Sequence, residues 1–373
     1  MRILLMILTT ITFSINSIGQ SLTTGTDLLI RKVDKKVPEL MKKKNVPGMA
    51  LAILDNNKFV FKKSYGFSNL KKETPIAFST GFNIGSISKL FTAFAIMKLV
   101  EEGKIELNAP VENYLTRWKL PNSQYDNSKI TIRHLLGHTA GASVHGYPGF
   151  NDKKRLPTLE TSLNGKSPAR ANEKVAIITE PQTEFKYSGG GYTILQLVIE
   201  EVTNLSFEKY MNRTIFKPLK MKNTSFKITN RLLKKSATPY NELKKEVPFV
   251  HFTAKAAAGL QTTLDDFMIF TNEILNNYRL LSREYVDIMA SVSELSPKDY
   301  RYGLGMKILQ LGKVKLKGHS GTNSGWQAAF FMDFKNKNGL IMMTNGDNGD
   351  AVLKNTLMIW AKTKYQKPNN RKK

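Results

Sequence analysis

Two β-prone runs, Gly48 to Leu54 and Lys58 to Ser64, flank the polar triplet Asp55-Asn56-Asn57, and this composition predicts a hairpin. Near the other end of the chain, Lys313 to Lys317, Gln327 to Asp333 and Leu340 to Thr344 predict three more strands. The last two are joined by the polar turn Lys335 to Gly339. Between these regions the apolar residues recur three and four apart. That spacing predicts helices over Leu90 to Glu102, Tyr192 to Val202, Leu264 to Asn276 and Arg283 to Met289. The pattern therefore describes an α/β (α+β) protein: an antiparallel sheet drawn from both chain ends, about 20–80 and 295–361, and a mostly helical lobe from about 81–294. The stretch Ala142 to Pro168, rich in Pro and Gly, lacks periodicity and is expected to be a long surface loop near a site.

Composition adds limits to this picture. With 373 residues, 41% hydrophobic, the chain can bury a large core. Met1-Arg2, the apolar run Ile3 to Ile15 and the small residues Ser17 and Gly19 have the layout of a cleavable signal peptide over 1–19, so an exported, periplasmic protein is expected. A retained anchor would need roughly 20 apolar residues, and this run is shorter and interrupted by Thr9, Thr10 and Thr12. No cysteine is present, which excludes disulfides, thiolate nucleophiles and thiolate metal sites together. Lys and Arg total 56 against 30 acidic residues, a formal charge of +26. The lysines are scattered and no nucleic-acid motif accompanies them, so no nucleic-acid partner is expected. An anionic envelope surface, or simple solvation of a basic surface, fits the charge better. The tail from Lys362 to Lys373 is basic, nearly free of apolar residues, and expected to fray.

Three short segments carry candidate chemistry. In Gly85-Ser86-Ile87-Ser88-Lys89-Leu90-Phe91, a lysine opens a helix that is apolar on nearly every face. Residues three apart share a helix face, so the Ser86 hydroxyl and the Lys89 amine can meet. Burial would lower the lysine pKa until it can accept the serine proton. The same spacing also fits a serine cap followed by a snorkelling lysine. In Lys186-Tyr187-Ser188-Gly189-Gly190-Gly191-Tyr192 a tyrosine precedes a glycine-rich turn and a helix; beside a cationic lysine its pKa would fall and it could shuttle a proton. An ordinary core aromatic is the alternative. In Lys317-Gly318-His319-Ser320-Gly321-Thr322, a polar cluster sits between two predicted strands and is poor strand material. Gly321 would let a substrate lie along a strand edge, and the Thr322 N–H could join the Ser86 N–H as an oxyanion hole. A loop histidine with a structural role is the alternative for His319.

In this order the three elements resemble the Ser-x-x-Lys, Tyr-x-Asn and Lys/His-x-Gly motifs of the serine β-lactamase and penicillin-binding-protein superfamily. Three further stretches are similar to its class C branch: Gly103 to Val111, Ile130 to Gly141, and Ala257 to Phe267. The resemblance runs from about Pro47 to Trp360. It implies one β-lactamase-like domain over 20–361, with Ser86 as acylated nucleophile, Lys89 as its base, Tyr187 as proton shuttle and His319 facing the far side of the substrate. It implies no cofactor. Gly189 stands where the second motif often has asparagine, and His319 where β-lactamases carry lysine. Both departures move the expected substrate away from β-lactams, towards D-amino-acid cell-wall peptides first and small esters second.

Other readings fit less well. His134 and His138 are four apart, but Leu135 replaces the glutamate of a His-Glu-x-x-His zinc site, so no metal is expected. A nucleophile at Ser320 would require a Gly-x-Ser-x-Gly elbow, which Thr322 breaks. The rival from another class is a hydrolase fold kept as a peptidoglycan-binding or penicillin-binding module with negligible turnover.

Overall fold

The computed structural model describes residues 25–169 and 173–365, so the leader expected over 1–19 and the tail beyond Tyr365 lie outside the described residues. Among the described residues ten strands form: β1 (Gly48–Asp55), β2 (Lys58–Asn69), β3 (Thr74–Pro75), β4 (Phe82–Asn83), β5 (Gln261–Thr262), β6 (Arg301–Tyr302), β7 (Lys307–Leu311), β8 (Val314–Asn323), β9 (Trp326–Asp333) and β10 (Asn338–Thr344). Eight make one antiparallel sheet in the order β3-β2-β1-β10-β9-β8-β7-β6. The first strand of the chain thus pairs with the last, Ala52 opposite Ile341. β4 and β5 form a separate two-stranded ribbon.

β1, β9 and β10 are buried along their whole length, as strands covered on both faces must be. Their period-two alternation splits the core. Met49, Leu51 and Ile53 face one apolar cluster, and Ala50, Ala52 and Leu54 face the other. The first cluster is closed by helices from the two ends, α1 (Gly25–Lys43) and α11 (Gly349–Tyr365). Neither helix was foreseen. α1 buries only the narrow stripe Leu29, Val33, Val37 and Met41 on an otherwise lysine-rich surface, and that stripe is easily lost among the charges. α11 continues to Tyr365, so Lys362 to Tyr365 are helical rather than frayed.

The middle of the chain covers the other face. Its helices are α2 (Ser88–Glu101), α3 (Ile132–Gly137), α4 (Leu159–Leu163), α5 (Gly189–Thr203), α6 (Phe207–Met211), α7 (Asn230–Lys235), α8 (Lys255–Ala258), α9 (Leu264–Asn272) and α10 (Arg283–Met289). The helix expected over Leu264 to Asn276 changes character: α9 passes into a π-helical turn, Glu273–Asn277, that ends on left-handed Tyr278. The stretch 142–168 is less featureless than expected, since it contains α4, with Leu159 and Leu163 buried.

Candidate active site

The first motif occupies a 3₁₀ turn, Gly85–Ile87, that runs directly into α2. Gly85 has φ +51°, and a side chain there would strike the Thr322 backbone nitrogen at 2.6 Å, so only glycine lets the turn lie against β8. Gly321 makes the reciprocal approach: a Cβ on it would stand 1.9 Å from the Ile84 carbonyl oxygen and 3.0 Å from the Ser86 nitrogen. The backbones carrying the Ser86 and Thr322 N–H groups are therefore neighbours. The Ser88 hydroxyl locks the turn, donating to the Gly85 carbonyl at 2.6 Å and accepting from the Leu260 N–H at 3.0 Å.

The Lys89 side chain is 2% exposed. Its Nζ lies 3.2 Å from Ser86 Oγ and 2.8 Å from the Ala257 carbonyl oxygen. Burial pushes its pKa down to about 7. Near neutrality the amine can thus release its proton, keep one N–H on Ala257 and turn its lone pair to the serine hydroxyl. The snorkelling alternative does not describe this residue, because its amine stays inside.

Tyr187 lines the same cleft as Ser86, and the Lys89 Nζ is 4.9 Å from its ring centroid. Here the structure corrects an expectation: the phenol pKa is raised, not lowered. Desolvation causes it. The ring is packed against His138, Tyr300 and Tyr302, which with the rest of the cleft wall take the phenol out of water. At neutral pH Tyr187 is consequently a protonated donor. Ser188 caps α5 by accepting from the Gly191 N–H, and the Gly189 N–H donates to the His145 carbonyl, which aligns the glycine turn with the cleft wall.

The third motif lies inside β8, not between two strands. His319, Ser320 and Gly321 pair with Phe330, Ala329 and Ala328 of β9, so the buried apolar partner strand supplies the packing that these polar residues lack. β7 pairs only as far as Gly318, and from there the outer edge of β8 faces the 3₁₀ turn. His319 is buried, and its pKa is lowered to about 3 by desolvation and by repulsion from Lys89. Its Nδ1 faces the Ser320 carbonyl, which can only accept, so Nδ1 carries the proton and Nε2 accepts from the Tyr302 hydroxyl at 2.9 Å. His319 is thus neutral through the physiological range and brings no positive charge to the cleft.

The cleft has a volume of about 450 Å³ and is lined by Ser86, Lys89, Tyr187, His319 and Thr322 together with Tyr147, Phe185 and Tyr300. No aspartate or glutamate lines it among the described residues. Several contributors were not foreseen. The Ala257 carbonyl holds Lys89, Tyr302 holds His319, and Asn323 donates to both Asn83 Oδ1 (2.5 Å) and the Ala258 carbonyl (3.0 Å), tying three segments at the cleft floor. Ala257 and Asn323 lie within or beside the stretches singled out by sequence, but backbone oxygens and long-range partners carry no local pattern. His134 and His138 are separated by structure: His134 completes the capping box of α3, while His138 is its left-handed cap and accepts from the Ser188 N–H. No group of three metal-ligating side chains forms among the described residues.

Comparison with known proteins identifies the family and the fold. The family model described as Beta-lactamase matches residues 33–361. "Protein flp" of Staphylococcus aureus (strain N315) is 27% identical over 327 residues, covering 84% of this chain and 63% of that protein. "Teichoic acid D-alanine hydrolase" of Staphylococcus aureus (strain MRSA252) is 25% identical over 274 residues, covering 69% and 62%. The chain spans less than two thirds of the length of these relatives. An octameric penicillin-binding protein homologue from Pyrococcus abyssi superposes with TM-score 0.75 at 27% identity, covering 88% of this chain and 77% of that one. D-amino acid amidase from Ochrobactrum anthropi SV3 shares the fold, with TM-score 0.70 at 20% identity over 87% and 98%.

Proposed function

Because the chain belongs to the beta-lactamase family, we propose that it is a serine hydrolase working through an acyl-Ser86 intermediate. The observation that carries this reading is the buried Lys89 amine, 3.2 Å from Ser86 Oγ, with its pKa brought down to about 7. Neutral Lys89 takes the Ser86 proton as Oγ attacks an ester or amide carbonyl. The oxyanion is received by the Ser86 and Thr322 N–H groups. Protonated Tyr187 gives its proton to the leaving oxygen or nitrogen and is reprotonated from Lys89. Water then attacks the acyl ester by the reverse route and restores Ser86.

For substrate we propose a D-amino-acid amide or ester of the cell envelope, a D-amino-acid-containing wall peptide first, small esters second and β-lactams third. The names of two similar proteins, a teichoic acid D-alanine hydrolase and a D-amino acid amidase, are compatible with D-aminoacyl substrates. Neutral His319 offers no counter-charge for a β-lactam carboxylate, in keeping with their last place. Export through cleavage near residue 19 belongs to the same proposal, and N-terminal sequencing of the mature protein tests it.

A labelled fluorophosphonate should acylate Ser86 in folded protein. A D-amino-acid amide, a D-Ala-D-Ala peptide, p-nitrophenyl butyrate and nitrocefin then rank the substrates. Absence of labelling would leave the binding-module reading, and fast nitrocefin turnover without the others would reverse the ranking.

A further inference from the structure

A second cleft, of about 310 Å³, lies where the segment leading into β4 meets the chain from Lys222 to Lys235. Four cations line it, Lys222, Lys227, Arg231 and Lys235, with hydroxyls from Ser79 and Thr229 beside them. No carboxylate lines it among the described residues. The nearby acids are already committed. Asp266 accepts from the Asn223 N–H and the Thr224 hydroxyl beneath the floor, Asp265 pairs with Lys62, and Glu208, which Lys227 influences, pairs with Lys255 at 2.9 Å. Among the described residues the Lys235 amine reaches only the neutral Asn223 side chain, at 3.4 Å.

This arrangement opposes fold stability. Arg231 and Lys235 stand four apart on α7, where like charges repel, and Lys222 and Lys227 add to the same concavity. The frame under them is nevertheless held firmly. The Gly81 N–H donates to the Lys235 carbonyl at 3.0 Å and the Ala237 N–H to the Gly81 carbonyl at 2.9 Å, while Ser225 and Gln261 exchange backbone bonds at 2.9 and 3.1 Å. Uncompensated cations converging on a fixed concave surface are what an oxyanion receptor requires, with guanidinium and ammonium donors for charge and hydroxyls for the remaining lone pairs.

We infer that this cleft binds a phosphate or phosphodiester group, apart from the chemistry at Ser86. The cavity exceeds the size of one phosphate, so it also has room for the small alcohol that carries it. Among the described residues no aromatic ring lines the cleft, so a nucleic acid would find no stacking platform there. A polyol phosphate suits it better. The site gives a place to part of the +26 charge that the catalytic cleft leaves unexplained.

Titration calorimetry of the full chain at fixed ionic strength tests this with glycerol 3-phosphate, a poly(glycerol phosphate) chain, citrate and an oligothymidylate. The K227Q/R231Q/K235Q variant should bind the phosphate probes about tenfold more weakly or worse, as loss of charge-assisted bonds requires. The control K42Q/K43Q/K72Q removes the same charge from exposed positions elsewhere and should bind as the parent does. Binding of both phosphate probes assigns the site to a single phosphate ester, and binding of the chain alone assigns it to a polymer. Equal weakening in the two variants, equal affinity for citrate or oligothymidylate, or no binding by any probe overturns the inference. The readout is independent of turnover, so failure here leaves the Ser86 reading standing, and the reverse also holds.

Discussion

The cleft at Ser86 holds one lysine and hides it from water, whereas the cleft at Lys227 gathers four cations and leaves them at the surface. Basic side chains meet opposite environments in the two places. Burial between α2 and the Ala257 carbonyl makes the charged form of Lys89 costly, so its lone pair becomes available for chemistry. Exposure on α7 leaves the charge of Lys235 and Arg231 hydrated and ready for an anion. Depth, rather than residue type, separates the proposed base from the proposed receptor.

The comparison breaks most readily at Lys89. Arginine there keeps a charge it cannot give up, so K89R should lower fluorophosphonate acylation by about a thousandfold or more while circular dichroism stays native. Labelling at the parent rate would remove Lys89 from the base role. A smaller effect concerns stability. The folded pKa of about 7 lies below the unfolded value near 10.5, so the unfolded chain binds more protons between them. The resulting penalty is complete below pH 7, shrinks as pH rises and vanishes above about 10.5. K89M should therefore raise the unfolding free energy at pH 6 by roughly 1–3 kcal/mol, after allowance for the Ala257 carbonyl it leaves unpaired, and lose that gain by pH 10.5. Denaturant melts at the two pH values measure it.

Of similar size is the cost of separating the turn from β8. G321A drives a methyl into the Ile84 carbonyl, and should cost about 1–3 kcal/mol in stability together with most of the acylation rate. Native stability and native labelling together would show that the two N–H groups need no such approach. The smallest expected effect is a flat line. With His319 neutral above about pH 4, KM for a carboxylate-bearing substrate should not change between pH 5 and 8, while acylation rises towards a plateau through pH 7 as Lys89 deprotonates. A KM that climbs through pH 6 would restore a charged His319.

Much of the site was legible because its signals are local. Ser86 and Lys89 are three apart on one helix, Tyr187 precedes a glycine turn that caps another, and the hairpin of β1 and β2 is written in Asp55-Asn56-Asn57. The strand content of β8 was harder to read, because its polar centre is tolerated only through pairing with Phe330 and Ala329 on a distant stretch. α1 was missed although Leu29, Val33, Val37 and Met41 mark it at intervals of four. The largely apolar β1, β9 and β10 already required cover on a second face, and that requirement pointed to helices at the two ends.

By itself, the sequence determined which residues are the candidates for chemistry, their order and the alternation that sorts a two-sided sheet, since these depend on neighbours along the chain. Only the tertiary structure decided their states. Burial lowers the Lys89 pKa as expected, but Tyr187, which was expected to acidify, has its pKa raised because its hydroxyl is desolvated. His319 became a neutral partner of Tyr302 for the same reason. Desolvation depends on what packs around a group from every side, and that is settled when β8, α2 and α5 close on one another.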